Sequence, residues 1–400
     1  MYIESLLDTD FYEFLMQQVF VNKYADVTGK FKFKCRNRYL YYDGFEKNLH
    51  RALEHLFELR FTNDEIEYLA NIQTKSGTYL FQKNGDSYLE FLRNFRLNPD
   101  YLNVYGYNNE LQIEIEGPLR YTSIFEVYLL RIISSINSIS NGYDVKMDRN
   151  GINRLYKKID FLKNHNNYKN PVKFADFGTR RAYDPYYHRG IVEILKNELP
   201  DNFVGTSNVL FAKELNLTPI GTMAHKFIQM FQGLDTNSID NSQIAAFQSW
   251  SDFYRGDMGI ALTDTLGNDK FFKDFDLYFA KLFDGVRNDS GDPFEWGNRM
   301  LNLYRKFNID PKSKTLVFSN GLDFETMVRI NGHFSDDINV SFGIGTNLTN
   351  DTGIVTPLNI VLKLIEVNGK PVAKLSEDKG KIMCEDDNYL NYLQNVCERR

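Results

Sequence analysis

The stretch Asp284-Gly-Val-Arg-Asn-Asp-Ser-Gly-Asp292-Pro293 packs three carboxylates and an arginine into ten residues, and its flanks decide the fold. Before it runs an apolar segment, Leu277 to Phe283, and after it a helical face repeats at Trp296, Met300, Tyr304 and Phe307. Asp292, Pro293 and Glu295 suit the N-cap, N1 and N3 positions of that helix. The unit reads as strand, polar loop, helix. Alone, it is explained as well by a helix entry dressed with solvated charge as by a functional site.

Repetition gives it weight. From about Pro171 seven short apolar runs recur: Val172 to Ala175, Phe203-Val204, Pro219-Ile220, Gly259 to Leu262, Phe283 to Val286, Thr315 to Phe318 and Ile338 to Phe342. Each ends in a polar loop and is followed by helical periodicity. Repeated βα units predict a parallel sheet, and crossovers of one hand close it into an irregular or incomplete TIM-like β/α barrel. The loops Asp176 to Arg181, Gly205 to Ser207, Gly221 to His225, Thr263 to Thr265, Arg287 to Asp292, Ser319 to Gly321 and Gly343 to Asn347 then share one rim, where barrel active sites sit.

The N-terminal third reads differently. A helix over Thr9 to Tyr24, with Phe11, Leu15, Val19 and Phe20 on one face, precedes a period-two strand in which Phe31, Phe33 and Cys35 alternate with lysines. A second such strand carries Leu111, Ile113 and Ile115, and Ser123-Ile-Phe-Glu126 resembles a capping box opening a long helix. After Gly353 a hairpin, Asn359 to Val367 and Pro371 to Leu375, turns at Asn368-Gly369 and is expected to rejoin this α+β region. The expected division is an α+β domain from 1-140 and 355-400, and a β/α barrel from 141-354.

Composition narrows the class. In 400 residues, 42% hydrophobic content suffices for a large core without staples. A net charge of −6 with no basic stripe argues against a nucleic-acid surface. Three cysteines without C-x-x-C spacing suggest neither a disulfide framework nor a zinc site. With no basic leader and no run of eighteen apolar residues, the expectation is a cytoplasmic protein that binds small molecules and no membrane.

The rim loops propose a chemistry. Ser319-Asn-Gly321 and Gly343-Ile-Gly-Thr346 offer small residues and backbone N–H groups where barrels hold phosphate, although glycines also merely end strands. Arg180 and Arg181 offer guanidinium groups for a second anion, or a surface ion pair. Asp289 and Asp292, joined by Asp264, suit ribose hydroxyls or a Mg²⁺ already carrying phosphate, and no set of metal ligands can be named. His225, at a loop-to-helix junction, is a candidate nucleophile or base, or a structural histidine; the other five histidines have ordinary surface contexts.

Six segments, in order and over nearly the whole chain, carry a specific resemblance. Leu7-Asp-Thr-Asp-Phe-Tyr12, Asp176-Phe-Gly-Thr-Arg-Arg181, Phe203-Val-Gly-Thr-Ser-Asn208, Gly221-Thr-Met-Ala-His225, Arg287-Asn-Asp-Ser-Gly-Asp-Pro293 and Ser341-Phe-Gly-Ile-Gly-Thr346 are similar to the nicotinate phosphoribosyltransferase family. The resemblance implies condensation of nicotinate with phosphoribosyl pyrophosphate to nicotinate mononucleotide and pyrophosphate in NAD salvage, with Mg²⁺ and with ATP hydrolysis coupled through a phosphohistidine. It implies that Phe177 and Tyr12 sandwich the pyridine ring, Tyr12 coming from the partner of a homodimer with shared sites. Arg180 holds pyrophosphate, Arg287 lies near ring and ribose, Asp289 takes the ribose hydroxyls, Gly321, Gly345 and Thr346 the 5′-phosphate, and His225 the phosphoryl group.

Four rim positions depart from the family pattern. Lys226 stands where Glu usually follows the histidine, Asn288 where His is frequent, and Ala182 and Asn347 where Arg is. The first is expected to disturb ATP coupling, Lys226 either neutralising a phosphohistidine or pointing into solvent. The nearest rival, nicotinamide phosphoribosyltransferase, carries an aspartate at position 207; Ser207 can instead donate to a carboxylate without repelling it. A barrel aldolase would want a strand-end lysine, which neither Lys173 nor Lys226 provides. A phosphoribosyl-binding barrel without turnover is the non-enzymatic alternative.

Overall fold

The computed structural model describes residues 2–36, 43–82, 85, 87–107, 110–140, 145–165, 169–236 and 238–398. Eleven strands form two sheets. β1 (Thr28–Cys35), β2 (Leu102–Tyr107) and β3 (Glu110–Pro118) come from the N-terminal third. β4 (Phe174–Asp176), β5 (Phe203–Thr206), β6 (Ile260–Leu262), β7 (Gly285–Asn288), β8 (Thr315–Phe318) and β9 (Asn339–Ile344) follow, and β10 (Ile360–Val367) and β11 (Lys370–Pro371) close the series.

The first sheet is antiparallel, in the order β11-β10-β1-β3-β2. Its alternation is the one the sequence predicts: Phe31 and Phe33 are buried in β1, while Lys30 and Lys32 lie on the half-exposed face. The C-terminal hairpin does return to the N-terminal region, β10 pairing antiparallel with β1 from Cys35↔Ile360 to Gly29↔Val367. Asn368 and Gly369 both have positive φ, the two-residue turn that an Asn-Gly pair favours.

The second sheet is parallel, in the order β5-β4-β9-β8-β7-β6. Chain order runs around it and returns, the last strand lying beside the first. The expected seventh strand, Pro219-Ile220, makes a single bridge to Thr206 of β5 and no ladder of its own. On its other side Thr222 Oγ1 donates to Ile260 O of β6 at 3.1 Å. The architecture is thus an α/β fold with a parallel sheet and a separate antiparallel sheet.

Three local readings are corrected. Leu277–Leu282 is a helix, capped by Asp276, whose carboxylate accepts from Tyr278 and Phe279 N–H; the strand begins at Gly285. A capping carboxylate outweighs the apolar run that suggested a strand. The helix Phe11–Lys23 buries all of residues 11–20, not one face, because it lies between layers. Its polar side chains find partners inside: Gln17 Nε2 donates to Arg120 O at 2.8 Å and Gln18 Nε2 to Leu80 O at 3.2 Å. Ser123 ends a short helix, Leu119–Thr122, with its hydroxyl buried and without a hydrogen-bond partner, so no capping box forms with Glu126.

One continuous apolar core joins the two sheets, drawing Phe31 and Leu364 from one and Phe174, Phe318 and Phe342 from the other. A smaller cluster, Leu266, Ala373, Leu375, Leu393 and Cys397, fastens the final helix Asp387–Glu398. No helix among the described residues is long and apolar enough to cross a membrane.

Candidate active site

The C-terminal ends of the parallel strands open into a cavity of about 820 Å³, closed on its other side by β10 and the segment after β11. Tyr12, Phe177, Arg180, Ser207, His225, Arg287, Asp289, Gly321, Gly345 and Thr346 all line it. Asp264 does not: it lies fully buried behind His225. Asp292 is exposed and serves as the helix N-cap, accepting from Phe294 and Glu295 N–H, so it is not part of the site.

Phe177 follows directly from β4, its N–H donating to Ile344 O at 2.8 Å. Its ring lies so close over β9 that a Cβ on Gly343 would come within 2.1 Å of it; only glycine fits there. Beneath the ring, Asp176 accepts from Gly178 N–H, Thr206 Oγ1 at 2.7 Å and His188 Nε2 at 2.7 Å. His188 is therefore wholly buried, not a surface histidine. Its Nδ1 stands 3.0 Å from Arg131 Nη1, and Arg131 Nε pairs with Asp8 at 3.2 Å.

That network seats the N-terminal segment against its own chain. Asp10 bridges to Asn208, and Phe11 N–H donates to Ser207 O at 2.7 Å. Tyr12 consequently lines the cavity of its own chain. The same seating sets Asp10 beside the ring slot, where its carboxylate accepts from Ser207 Oγ at 2.7 Å. The slot is therefore not free of carboxylates.

Arg180 and Arg181 occupy one 3-10 turn, Thr179–Arg181, and diverge. Arg180 Nη1 donates to Glu126 at 3.0 Å with 39% of its side chain still exposed, whereas Arg181 Nε donates to Ile360 O at 3.1 Å. Burial, with Arg180 and Arg36 nearby, brings the Arg181 guanidinium down to about 10. Arg287 Nε is buried without a hydrogen-bond partner among the described residues. Such a group costs free energy unless something outside the chain satisfies it, and this one belongs to a cavity-lining side chain.

His225 begins the helix His225–Met230. Its Nε2 is 2.8 Å from Asp264 Oδ1, 2.8 Å from Lys374 Nζ and 3.6 Å from Asp289 Oδ2. Nδ1 has no protein partner among the described residues. Burial first, then Lys374, lower the imidazole pKa against the pull of Asp264, so the ring is neutral near pH 7. Burial works to raise Asp264, but His225 and Lys374 hold it well below the usual carboxylate range.

The donor set was also compared with a metal site. The ligand atoms of His225, Asp264 and Asp289 lie within 4.8 Å of one another. Lys374 Nζ, however, stands 2.7 Å from Asp264 and 3.8 Å from Asp289. An ammonium already compensates these carboxylates, and Mg²⁺ wants an octahedron of oxygens at about 2.0–2.1 Å. The cluster does not fit a resident Mg²⁺.

Lys226 neither reaches His225's ring nor meets solvent, correcting both expectations. It is buried and donates to Glu13 at 2.5 Å, to Ser123 O at 2.7 Å and to Glu126 at 3.0 Å. The cation beside His225 is Lys374, from the strand-like run after β11, which the sequence reading left as part of a hairpin. Glu126, Asp10, Lys363 and Lys381 also line the cavity unpredicted.

Two aromatic rings, glycine-bearing loops and a neutral histidine gather at the C-terminal ends of the parallel strands, a lining that suits an α/β transferase. The chain belongs to the nicotinate phosphoribosyltransferase family, whose family model matches residues 172–399 and whose N-terminal domain model matches residues 7–134. It is 43% identical to nicotinate phosphoribosyltransferase of Xylella fastidiosa, covering 98% of this chain and 97% of that one. It is also 43% identical to the Acinetobacter baumannii enzyme of the same name, over 98% and 96%. Among solved structures, nicotinate phosphoribosyltransferase from Vibrio cholerae superposes with a TM-score of 0.90 at 34% identity, covering 99% of this chain and 93% of that one. The Porphyromonas gingivalis enzyme gives 0.89 at 30% identity, over 98% and 99%.

Proposed function

We propose that this chain condenses nicotinate with phosphoribosyl pyrophosphate, giving nicotinate mononucleotide and pyrophosphate, with ATP hydrolysis coupled through phosphorylation of His225. The observation that carries the reading is the gathering of Tyr12, Phe177, Arg180, His225, Arg287 and Asp289 around one cavity in a chain of this family.

In this reading the pyridine ring enters between Tyr12 and Phe177, with Ser207 near its carboxylate. The ring nitrogen forms the bond to C1 of the ribose as the C1–O bond breaks, and the electron pair leaves with pyrophosphate. Arg180 stabilises that departing charge, Arg287 faces ring and ribose, and Asp289 accepts from the ribose hydroxyls. Gly321, Gly345 and Thr346 take the 5′-phosphate. Most of the acceleration then comes from orientation and from fixed charge aimed at the leaving group. Mg²⁺ enters with the polyphosphate substrates rather than as a resident ion. ATP transfers its terminal phosphoryl group to the neutral imidazole of His225 and leaves as ADP.

The parallel strands, with residues 219–222 spanning the gap between β5 and β6, are read as an irregular β/α barrel over 141-354, and 1-140 with 355-400 as the α+β domain. A cytoplasmic homodimer with shared active sites belongs to the same reading. Nicotinamide is the disfavoured substrate. The test mixes the protein with phosphoribosyl pyrophosphate and nicotinate, nicotinamide or quinolinate, with and without ATP, and reads product mass and pyrophosphate. Product from nicotinate, raised by ATP, is expected; equal kcat/KM for nicotinamide overturns the assignment.

A further inference from the structure

We propose that Lys226 is a positioning residue for pyrophosphate: a buried ammonium that fixes Glu126, which in turn aims Arg180 into the cavity. The proposal rests on the reading of Arg180 as the group that meets pyrophosphate.

Three helices meet at Lys226: Phe11–Lys23 brings Glu13, Phe125–Ser140 brings Glu126, and His225–Met230 brings the lysine itself. All three donor directions of the ammonium are filled, by Glu13 Oε1 at 2.5 Å, Ser123 O at 2.7 Å and Glu126 Oε2 at 3.0 Å. Its side chain is 5% exposed, and it stands 5.9 Å from the centre of the Tyr12 ring. Glu126 uses its two oxygens separately: Oε2 takes Lys226, and Oε1 takes Arg180 Nη1 at 3.0 Å.

Glu13, Lys226, Glu126 and Arg180 thus form one chain of contacts, the first three buried, and Arg180 exposes the most side chain to the cavity that Glu126 and Lys226 also line. Arg180 sits on a three-residue 3-10 turn that does little to fix so long a side chain. Its aim depends on Glu126, and Glu126 is held by Lys226. Burial raises the Glu13 carboxyl to about 8 even against the pull of Lys226, so without the ammonium Glu13 holds a proton, and Glu126 loses one of its two anchors and leaves its contact with Arg180 unbraced. The position after His225 therefore acts on the leaving-group cation rather than on the histidine.

The test compares the unmutated protein with Lys226→Met and Glu126→Gln. Three quantities are measured: the Kd of inorganic pyrophosphate by calorimetry, KM against kcat for phosphoribosyl pyrophosphate, and Tm. Misaimed contacts of this kind cost about ten- to a hundredfold, and that loss is expected in pyrophosphate Kd and phosphoribosyl pyrophosphate KM for both variants, with a smaller change in nicotinate KM. A folded Lys226→Met protein with a lower Tm but with Kd and KM within about twofold of the parent overturns the proposal, since a merely structural lysine predicts that result. If Lys226→Met does not fold, Glu126→Gln, which keeps the shape but offers one acceptor oxygen in place of two and so cannot bond both cations separately, decides on the same criteria. Absence of nicotinate-dependent turnover in the unmutated protein defeats the functional reading alone, because pyrophosphate binding still reports whether Lys226 sets Arg180.

Discussion

His188 and His225 each lie against an aspartate, at 2.7 Å from Asp176 and 2.8 Å from Asp264, yet the two pairs have opposite uses. His188 is sealed. Arg131 cannot accept, so Nδ1 of His188 must, and the proton then sits on Nε2, donating to Asp176. Both ring nitrogens are used and neither residue is exposed. His225 keeps 21% of its side chain open to the cavity, and its Nε2 faces both a carboxylate and an ammonium. The first pair braces the floor under Phe177; the second holds a neutral ring open to the cavity. What separates them is the second partner and access, not the histidine–aspartate contact itself.

The comparison is broken most severely at Asp176. Asp176→Ala strands His188, Thr206 and the Arg131–Asp8 pair in a dry interior, where removing one member costs about 3–5 kcal/mol. Urea unfolding is expected to show a loss of that size. Stability unchanged within about 1 kcal/mol would mean that the buried pair braces nothing. His225→Ala should do the reverse, costing less than about 1 kcal/mol because the ring is partly exposed, and removing ATP stimulation and ADP release while ATP-independent product formation persists. Undiminished stimulation in a folded His225→Ala protein would take the residue out of the coupling.

Lys374 sharpens the contrast. It is the second cause, after burial, that keeps the His225 pKa low, while Asp264 and Asp289 act to raise it. As pH falls, the imidazole gains a proton and can no longer accept a phosphoryl group, so stimulation should fail below the ordinary imidazole range near 6.5. In Lys374→Met the carboxylates act unopposed and that acid limb should move upward. The pH profile of the ATP effect measures it, and an unmoved limb would mean that Lys374 does not govern the ring.

Much of this was legible in the sequence, and the failures have physical causes. Strand ends were visible because most of the apolar runs stop at a glycine-bearing polar loop, which is why Phe177, Arg180, His225 and Asp289 could be placed on one rim. The supporting cations were not. Lys374 and Lys363 reach the site only because β10 pairs with β1 and carries the chain across the rim, a tertiary fact that local pattern cannot hold. Glu126 satisfied a local capping rule and was absorbed by it, while its real partners lie on two other segments. His188 was recoverable: it shares a helical face with Ile191, Val192 and Leu195, all buried, and a histidine at that spacing points inward. Asp276 likewise announced the helix 277–282 that was taken for a strand.

The same contrast extends to cations, and here the expected effect is smallest. Arg131 is buried and paired with Asp8, whereas Lys363 is half-buried with no carboxylate at ion-pair distance among the described residues. Burial first, then Arg36, Lys374 and Lys34, bring its ammonium down to about 7, and its Nζ donates to Lys381 O at 2.8 Å. In the free protein the group is therefore partly neutral near pH 7. A polyphosphate in the cavity supplies the missing counter-charge and raises that pKa toward its ordinary value. Binding then takes up a proton above pH 7, and affinity must fall as pH rises through about 7 toward 10, by at most about tenfold per pH unit for one proton. Below pH 6 Lys363 is charged in both states and contributes its full attraction without a slope. Pyrophosphate titrates in the same range, so the informative quantity is the ratio of Kd between Lys363→Met and the parent. That ratio should be largest near pH 6 and approach one near pH 10, read by calorimetry in buffers of different ionisation enthalpy. A ratio constant from pH 6 to 10 would show that Lys363 stays charged in its half-buried setting, and that an ammonium without a carboxylate partner here behaves like the paired arginine.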